Sequence, residues 1–101
     1  MVIKWAPIAK QNLQDIYQFY LPETGRKKAL EIVQTIKDEA RYLLISPGVG
    51  QYEMIDNRQT AYRYIVKRHW KLYYTIDNNY IRIAFVWDTR QDPQRLRRLL
   101  K

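Results

Sequence analysis

The residues with the strongest chemical character lie together in the stretch YRYIVKRHWKLYYTI, at positions 62–76. This stretch holds five aromatic residues, four Lys or Arg and one His, and it contains no Asp or Glu. Positive charge concentrated in this way, without a counter-charge, favours binding to a polyanion or to an acidic protein. The stretch therefore indicates two kinds of partner, nucleic acid or an acidic protein, and leaves the choice between them open.

Two side chains of this stretch have the types that acid–base chemistry uses. His69 is the only histidine of the chain, and its ordinary pKa near neutrality suits a general base. It falls between two predicted strands, so an exposed turn histidine is the alternative interpretation. Tyr73 would act as a base only if Lys71 and Arg63 lowered its pKa well below about 10. A tyrosine that only packs or stacks at the surface is the alternative there.

The acidic residues of the C-terminal part do not have the pattern of a metal site or a catalytic pair. Asp88 ends a predicted strand and Asp92 precedes a predicted helix, so pairing with Arg90 and helix capping explain them better. The chain has no cysteine, no cluster of histidines and no glycine-rich phosphate loop. We therefore expect no metal, no cofactor and no small-molecule ligand.

The positive charge of the chain is unevenly distributed. The 101 residues carry a formal net charge of +8. Positions 63–101 hold ten Lys or Arg against three Asp or Glu, whereas positions 1–62 hold eight against seven. No apolar run approaches the roughly 20 residues that a membrane-spanning helix needs, and the N-terminus shows no signal peptide. These features predict a soluble cytoplasmic protein with no membrane partner.

The first part of the chain has the pattern of a short strand followed by a helix. Residues 2–5 alternate as a strand does, and Pro7 suits the first position of a helix. LPETG at 21–25 is predicted to be the turn that ends this helix. Three aromatic residues of the helix cannot all be buried on one stripe: Tyr17, Phe19 and Tyr20. The side chains left over would pack on a second helix or contact another protein.

A second, longer helix is predicted to start at Arg26. Apolar residues recur at helical spacing from there to the SPGVG segment at 46–50, which ends the helix because Pro and Gly interrupt it. Residues 51–59 are polar and are predicted to form a loop.

The second half of the chain changes to the two-residue period of β-strands, at positions 60–68, 70–76 and 80–88. This alternation predicts an antiparallel sheet with one apolar face packed on the two helices. The predicted apolar face carries Tyr62, Tyr64, Val66, Leu72, Tyr74, Ile76, Ile81, Ile83, Phe85 and Trp87. The opposite, basic face is predicted to carry Arg63, Lys67, Lys71, Tyr73 and Arg82, with Arg90 just past the last strand. The basic residues are our candidates for binding a target or an antagonist protein.

The last residues, 92–101, have the pattern of a short helix with Asp92 as its N-cap and Pro93 at its first position. The whole chain, 1–101, is therefore predicted to be a single α+β domain. Two N-terminal helices form a hairpin on one face of a small antiparallel sheet. The predicted element order is β-α-α-β-β-β, followed by the short helix.

This order of elements, with the phrases LQDIYQFY, YRYIVKRHWKLYYTI and IRIAFVWDTRQDP, resembles the RelE/ParE superfamily of bacterial toxins. The resemblance extends over nearly the whole chain. It implies the toxin of a type II toxin–antitoxin system, which arrests growth and which a cognate antitoxin protein neutralises. RelE-like members cleave mRNA on the ribosome, whereas ParE-like members poison DNA gyrase. The resemblance therefore implies either the ribosome with its mRNA or DNA gyrase as the target.

The resemblance also implies where a nuclease site would lie. RelE-like nucleases use basic residues of the middle strands and an Arg at the end of the last strand. Arg63, Lys71 and Arg90 match these locations, and Tyr73 lies beside them. Many of these nucleases also carry a Tyr or His near the C-terminus, but this chain has neither after Trp87. This departure favours a gyrase poison. An mRNA endonuclease is the first alternative, and a non-toxic basic domain that binds nucleic acid or protein is the second.

Overall fold

In the computed structural model, which describes residues 1–100, a five-stranded sheet is packed between helices. Its elements are β1 (Val2–Trp5), α1 (Pro7–Thr24), α2 (Arg26–Arg41), β2 (Gln51–Ile55), β3 (Arg58–Lys67), β4 (Trp70–Ile76), β5 (Tyr80–Asp88) and α3 (Pro93–Leu100). Two 3-10 turns, Tyr42–Leu44 and Pro47–Val49, join α2 to β2. The strand order is β1-β5-β4-β3-β2, with β1 parallel to β5 and the other pairs antiparallel. The predicted α+β fold is confirmed, and Lys101 lies outside the described residues.

The two long helices form a hairpin that is interrupted only at Gly25. α1 begins at Pro7, where the missing N–H removes no hydrogen bond. It continues through Pro22, so the turn predicted at 21–25 is wrong except for its last residue. Gly25 has a φ of 83°, a backbone conformation that glycine adopts without a steric penalty. None of the helices within residues 1–100 is long and apolar enough to cross a membrane.

The segment predicted to be a loop at 51–59 instead forms most of a β-hairpin, so that prediction is wrong. β2 pairs antiparallel with the beginning of β3. Asp56 and Asn57 form the turn, with φ values of 49° and 63°. Consecutive Asp and Asn residues tolerate this left-handed backbone and favour tight hairpins. β2 lies at the sheet edge and exposes most of its side chains, so it lacks the apolar alternation of a half-buried strand.

One face of the sheet, here called the helix face, packs on α1 and α2. Its buried strand residues are Trp70, Leu72, Tyr74, Ile81, Ile83 and Val86. They meet Ala9 and Leu13 of α1 and Ile32, Ile36 and Ala40 of α2. Burial of these side chains is the main force that holds the helical hairpin on the sheet.

The opposite face, here called the second face, is covered in part by α3. Tyr73, Phe85 and Trp87 are buried there together with Leu100 of α3, and Leu96 packs against the same cluster. α3 begins as predicted, because the Asp92 carboxylate accepts the N–H of Gln94 at 2.9 Å and Pro93 is the first helical residue. The second face therefore has an aromatic core of its own.

Strand pairing corrects the predicted distribution of side chains between the two faces. Arg63 lies opposite Tyr74 and Tyr64 lies opposite Tyr73, and directly opposed residues share a face. Tyr62, Tyr64 and Val66 therefore lie on the second face, whereas Arg63, Ile65 and Lys67 lie on the helix face. In β5, a bulge between Ile83 and Phe85 also moves Phe85 and Trp87 onto the second face. An extra residue in one strand reverses the alternation beyond it, so the predicted single apolar face is wrong.

Candidate functional site

The basic residues predicted to share one face lie on two faces of the sheet. Arg63 and Lys67 belong to the helix face, Lys71, Tyr73 and Arg82 belong to the second face, and Arg90 follows β5. The predicted continuous basic face is therefore wrong. The physical reason is the strand register, which places β3 with its tyrosines toward the second face.

Arg63 holds the turn that precedes β2. Its Nη1 donates to the carbonyls of Gly48 at 3.3 Å and Gly50 at 2.9 Å, and its Nη2 donates to the Tyr52 hydroxyl at 3.1 Å. The guanidinium also lies over the Tyr52 ring, 4.1 Å from its centroid. Arg63 thus uses its donors to fix the backbone of its own chain, which is a structural role.

The turn that Arg63 holds is also fixed from the core. The Tyr74 hydroxyl donates to the Pro47 carbonyl at 2.7 Å and accepts the Gly50 N–H at 2.9 Å. A Cβ atom at Gly50 would lie only 2.5 Å from the Tyr74 hydroxyl, so this position requires glycine.

Glu53 contacts both polar residues of the second face that are candidates for catalysis, Lys71 and Tyr73. Its Oε1 accepts the Tyr73 hydroxyl at 3.1 Å and lies 3.8 Å from Lys71 Nζ. Lys71 Nζ also lies over the Tyr64 ring, 4.2 Å from the centroid. Glu53 is not among the predicted site residues, because its segment at 51–59 is predicted to be a loop. The Asp56–Asn57 turn signal would have placed Glu53 on a strand beside β3.

Tyr73 has the opposite electrostatic environment from the one a general base requires. Its side chain is completely buried. Burial raises the pKa of the phenol, and the neighbouring Glu53 carboxylate raises that pKa further. The expectation that Lys71 and Arg63 would lower it is wrong. Arg63 lies on the other face, and the charge of Lys71 is balanced by Glu53.

Arg90 is paired with a carboxylate of its own strand end. Its Nε and Nη2 donate to the two carboxylate oxygens of Asp88 at 3.0 and 2.8 Å, and its backbone N–H donates to Oδ1 at 2.9 Å. The hydrogen bonds from Arg90 are the main reason that the pKa of Asp88 lies below its ordinary value of 3.8. The predicted pairing of Asp88 with Arg90 is confirmed.

His69 lies in the turn between β3 and β4, with its ring 4.0 Å from the Trp70 ring, centroid to centroid. Its carbonyl accepts the Thr89 N–H and hydroxyl at 2.8 and 2.9 Å. The imidazole Nε2 is buried and has no hydrogen-bond partner among residues 1–100. Burial and the nearby Arg90 lower the pKa of His69, which keeps it neutral near pH 7. The turn position of this histidine is confirmed, but its ring is packed rather than freely exposed.

A large concave surface lies at the free edge of β1 and was not predicted. We call it the β1 groove, and it has a volume of about 850 Å³. It is lined by Met1, Val2, Ile3, Trp5, Lys10, Leu13, Gln14, Tyr17, Leu30, Val33, Lys37, Arg41 and Leu44. The lining combines an apolar floor with three cationic residues and, within the described chain, no Asp or Glu. A sequence pattern cannot reveal such a groove, because it is assembled from a strand and both helices.

The aromatic residues of α1 divide between the core, this groove and solvent. Tyr20 packs against the core, Tyr17 lines the β1 groove, and Phe19 remains 63% exposed. The expectation that these three rings could not all be buried is therefore confirmed. α1 exposes apolar surface on both of its flanks, which is typical of a helix that contacts another protein.

Comparison with known proteins identifies relatives of the whole fold. The family described as ParE toxin of type II toxin-antitoxin system, parDE, matches residues 3–93. A structure of the chromosomal ParDE toxin–antitoxin system from P. aeruginosa superposes with a TM-score of 0.72. It is 24% identical in sequence and covers 85% of this chain and 92% of the other. At this identity the superposition shows a shared fold.

Two further structures share the fold at lower similarity. The YoeB dimer from Staphylococcus aureus has a TM-score of 0.53 and 21% identity, covering 84% of this chain and 92% of that one. A chain of the YoeB–YefM complex from the same organism has a TM-score of 0.50 and 23% identity, covering 83% of this chain and 91% of that one. Comparison with curated protein sequences finds no significant match.

Proposed function

The chain belongs to the ParE toxin family of type II toxin–antitoxin systems, and on that premise we propose that it arrests growth by poisoning DNA gyrase. A toxin of such a system has an antitoxin as its partner. We further propose that residues 1–101 form one domain and that the chain acts in the cytoplasm, where gyrase is found. Its action is binding, and it requires no catalytic group of its own.

The observation that carries the proposal is that each candidate nuclease residue is already engaged within the chain. Arg63 is bonded to the backbone of the 48–50 turn, and Arg90 is paired with Asp88. Lys71 is paired with Glu53, which also accepts the Tyr73 hydroxyl. These residues also lie on different faces, so they do not converge on one phosphate.

RNA cleavage would require groups that the chain lacks at this location. A general base must take the proton of the ribose 2′-hydroxyl, and a general acid must protonate the leaving oxygen. The raised pKa of the buried Tyr73 makes it a poor base, and His69 is packed against Trp70 in a separate turn. The chain also has no Tyr or His after Trp87, where many RelE-like nucleases carry an acid–base residue. These facts favour the gyrase target over the ribosome.

The β1 groove is the surface that best suits the antitoxin. Leu30, Val33, Lys37 and Arg41 follow one stripe of α2 along this groove. Arg41 lies eleven positions after Leu30, which corresponds to about 16 Å, or three helical turns. Leu30 is 49% exposed, so part of this apolar stripe faces solvent in the isolated chain. A partner helix of similar length would bury it.

The charges at the groove define the chemistry of that helix. Three cationic residues line the groove: Lys10, Lys37 and Arg41. Among the described residues, none of them has a carboxylate within 4 Å. An amphipathic helix with apolar residues on one side and Asp or Glu beside them would match both features. We propose that the antitoxin presents such an acidic helix to the β1 groove.

The target assignment is tested with purified components. The chain is incubated with DNA gyrase, ATP and relaxed plasmid, and the products are examined after detergent and protease treatment. We expect less supercoiled product and an accumulation of linear plasmid, because a poison traps the enzyme on cleaved DNA. A parallel reaction with programmed ribosomes should leave the mRNA intact. Cut mRNA together with unaffected gyrase would overturn the proposal in favour of the endonuclease alternative.

A further inference from the structure

Two cations lie side by side at the exposed end of the second face. Lys4 of β1 and Arg82 of β5 are direct partners in the parallel ladder, so their side chains leave the sheet on the same side. Both residues are exposed. The next residue in the same row across the sheet is Thr75 of β4, which is paired with Arg82. The row therefore offers an ammonium, a guanidinium and a hydroxyl.

This arrangement costs the folded chain some stability. Like charges directly opposite each other in a sheet are destabilising. Among the ion pairs of residues 1–100, none involves Lys4 or Arg82. By contrast, Lys71 of the same face has the Glu53 carboxylate within 4 Å. The second face thus neutralises Lys71 and leaves Lys4 and Arg82 without a counter-charge within residues 1–100.

The lysine of the pair is held in place. Lys4 Nζ lies over the Tyr80 ring, 4.3 Å from the centroid. A cation–π contact of this kind attracts the ammonium to the face of the ring and restricts a flexible side chain. The ammonium is therefore partly oriented before a ligand arrives, which lowers the entropy cost of binding.

We propose that Lys4 and Arg82 bind a backbone phosphate of a polynucleotide. Neighbouring strands lie about 4.8 Å apart, so the two cations can reach different oxygens of a single phosphate. The guanidinium has the geometry for two parallel hydrogen bonds to phosphate, and the ammonium adds a point charge. An acidic protein segment is less favoured here, because the pair lacks the apolar floor that the β1 groove provides for such a segment.

This inference does not depend on gyrase as the target. It is tested on the isolated full-length chain with a fluorescein-labelled single-stranded DNA 12-mer, by anisotropy at several salt concentrations. The test variant is Lys4→Gln/Arg82→Gln. The matched control is Arg26→Gln/Lys27→Gln, which removes two exposed charges from the first turn of α2. Both variants have the same net charge, so they differ only in where the charge is lost.

We expect the test variant to bind about tenfold more weakly than the native chain at low salt, and the control about twofold more weakly. The dependence of binding on salt should become shallower by about 0.7 in the log–log slope for each lost phosphate contact to single-stranded DNA. Equal weakening in the two variants would overturn the inference, because binding would then follow net charge alone. An absence of binding by the native chain would overturn it as well.

A competition experiment separates phosphate from carboxylate ligands. A polyglutamate peptide of matched charge should displace the DNA only weakly from the native chain. If polyglutamate bound as tightly as the DNA and lost affinity equally in Lys4→Gln/Arg82→Gln, the site would be one for acidic protein, and the phosphate assignment would be wrong.

Discussion

The β1 groove and the second face of the sheet treat their charged and apolar residues in opposite ways. On the second face, the aromatic side chains are buried under α3, and Lys71 is neutralised by Glu53. In the β1 groove, Leu30 and Val2 remain about half exposed. The three cationic residues of the groove have no carboxylate within 4 Å in the described part of the chain. The aromatic core beneath α3 is thus completed by the chain itself, whereas the β1 groove is left to be completed by another molecule.

This difference shows why positive charge in a sequence is a poor guide to a binding surface. The stretch at 62–76 has the densest charge, yet most of its cations serve the fold. Lys67 pairs with Glu39 of α2 at 3.7 Å, and Arg63 holds the backbone of the preceding turn. Lys10, Lys37 and Arg41 are scattered along the sequence and become neighbours only in the folded chain.

The largest expected effect tests whether the second face is a closed core. Trp87 is 7% exposed, whereas Phe19 is 63% exposed. Trp87→Ala should lower the free energy of unfolding by about 3–5 kcal/mol, because it leaves a cavity beneath α3. Phe19→Ala is the matched control and should cost less than about 0.5 kcal/mol. Urea denaturation followed by far-UV circular dichroism measures both values. Similar costs for the two variants would show that the second face is open.

The next effect tests whether the β1 groove holds the antitoxin. Lys37→Glu/Arg41→Glu should weaken the complex about 30-fold, or ~2 kcal/mol, because the acidic helix would then meet like charges. Isothermal titration calorimetry with the cognate antitoxin measures the affinity. Arg26→Glu/Lys27→Glu reverses two charges outside the groove and serves as the control. An unchanged affinity in the groove variant, or an equal loss in the control, would exclude this surface.

A smaller effect tests whether the polar residues of the second face have a structural role. Tyr73→Phe removes only the hydrogen bond to Glu53 and should cost about 1 kcal/mol of stability. Growth arrest on induction should be unchanged, because no chemistry depends on the hydroxyl. The measurement is viable-cell counts beside the stability of the purified variant. Loss of toxicity in a stably folded Tyr73→Phe chain would restore the nuclease interpretation.

The smallest effect concerns the ion pair at the end of β5. The pKa of Asp88 is depressed by Arg90, so this carboxylate stabilises the fold at pH values above its ordinary pKa of 3.8. The contribution is lost as the pH falls through the lower, folded-state pKa. Asp88→Asn should therefore reduce stability slightly at pH 7 and flatten the loss of stability in acid. An unaltered acid profile would indicate that the pair contributes nothing.

Much of the backbone was predictable because local signals agree with the final contacts. The predicted strands at 2–5, 70–76 and 80–88 have the same bounds in the structure, since Pro7 follows the first and the Asp and Asn residues at 77–79 separate the other two. The start of α1 at Pro7 was equally clear. Pro22 misled because a proline in the last turn of a helix leaves the earlier hydrogen bonds intact.

The candidate site was less predictable, because it depends on register and on tertiary packing. Tyr and Arg alternate in β3, and either set could have faced the helices. Pairing with β4 places the tyrosines on the second face, where they pack in the aromatic cluster that α3 covers. The bulge in β5 adds another reversal that no period-two pattern contains. Pairing of Asp88 with Arg90 was predictable, since it is local in sequence.

The most direct test of the central claim is a short pulse-labelling experiment in cells after induction of the chain. Thymidine and methionine incorporation are followed together from the first minutes. Our account predicts that DNA synthesis stops first while protein synthesis continues, because the proposed target is gyrase and the nuclease candidates are occupied within the fold. If protein synthesis stops first, the ribosome is the target, and the account of Arg63, Lys71, Tyr73 and Arg90 as structural residues is wrong.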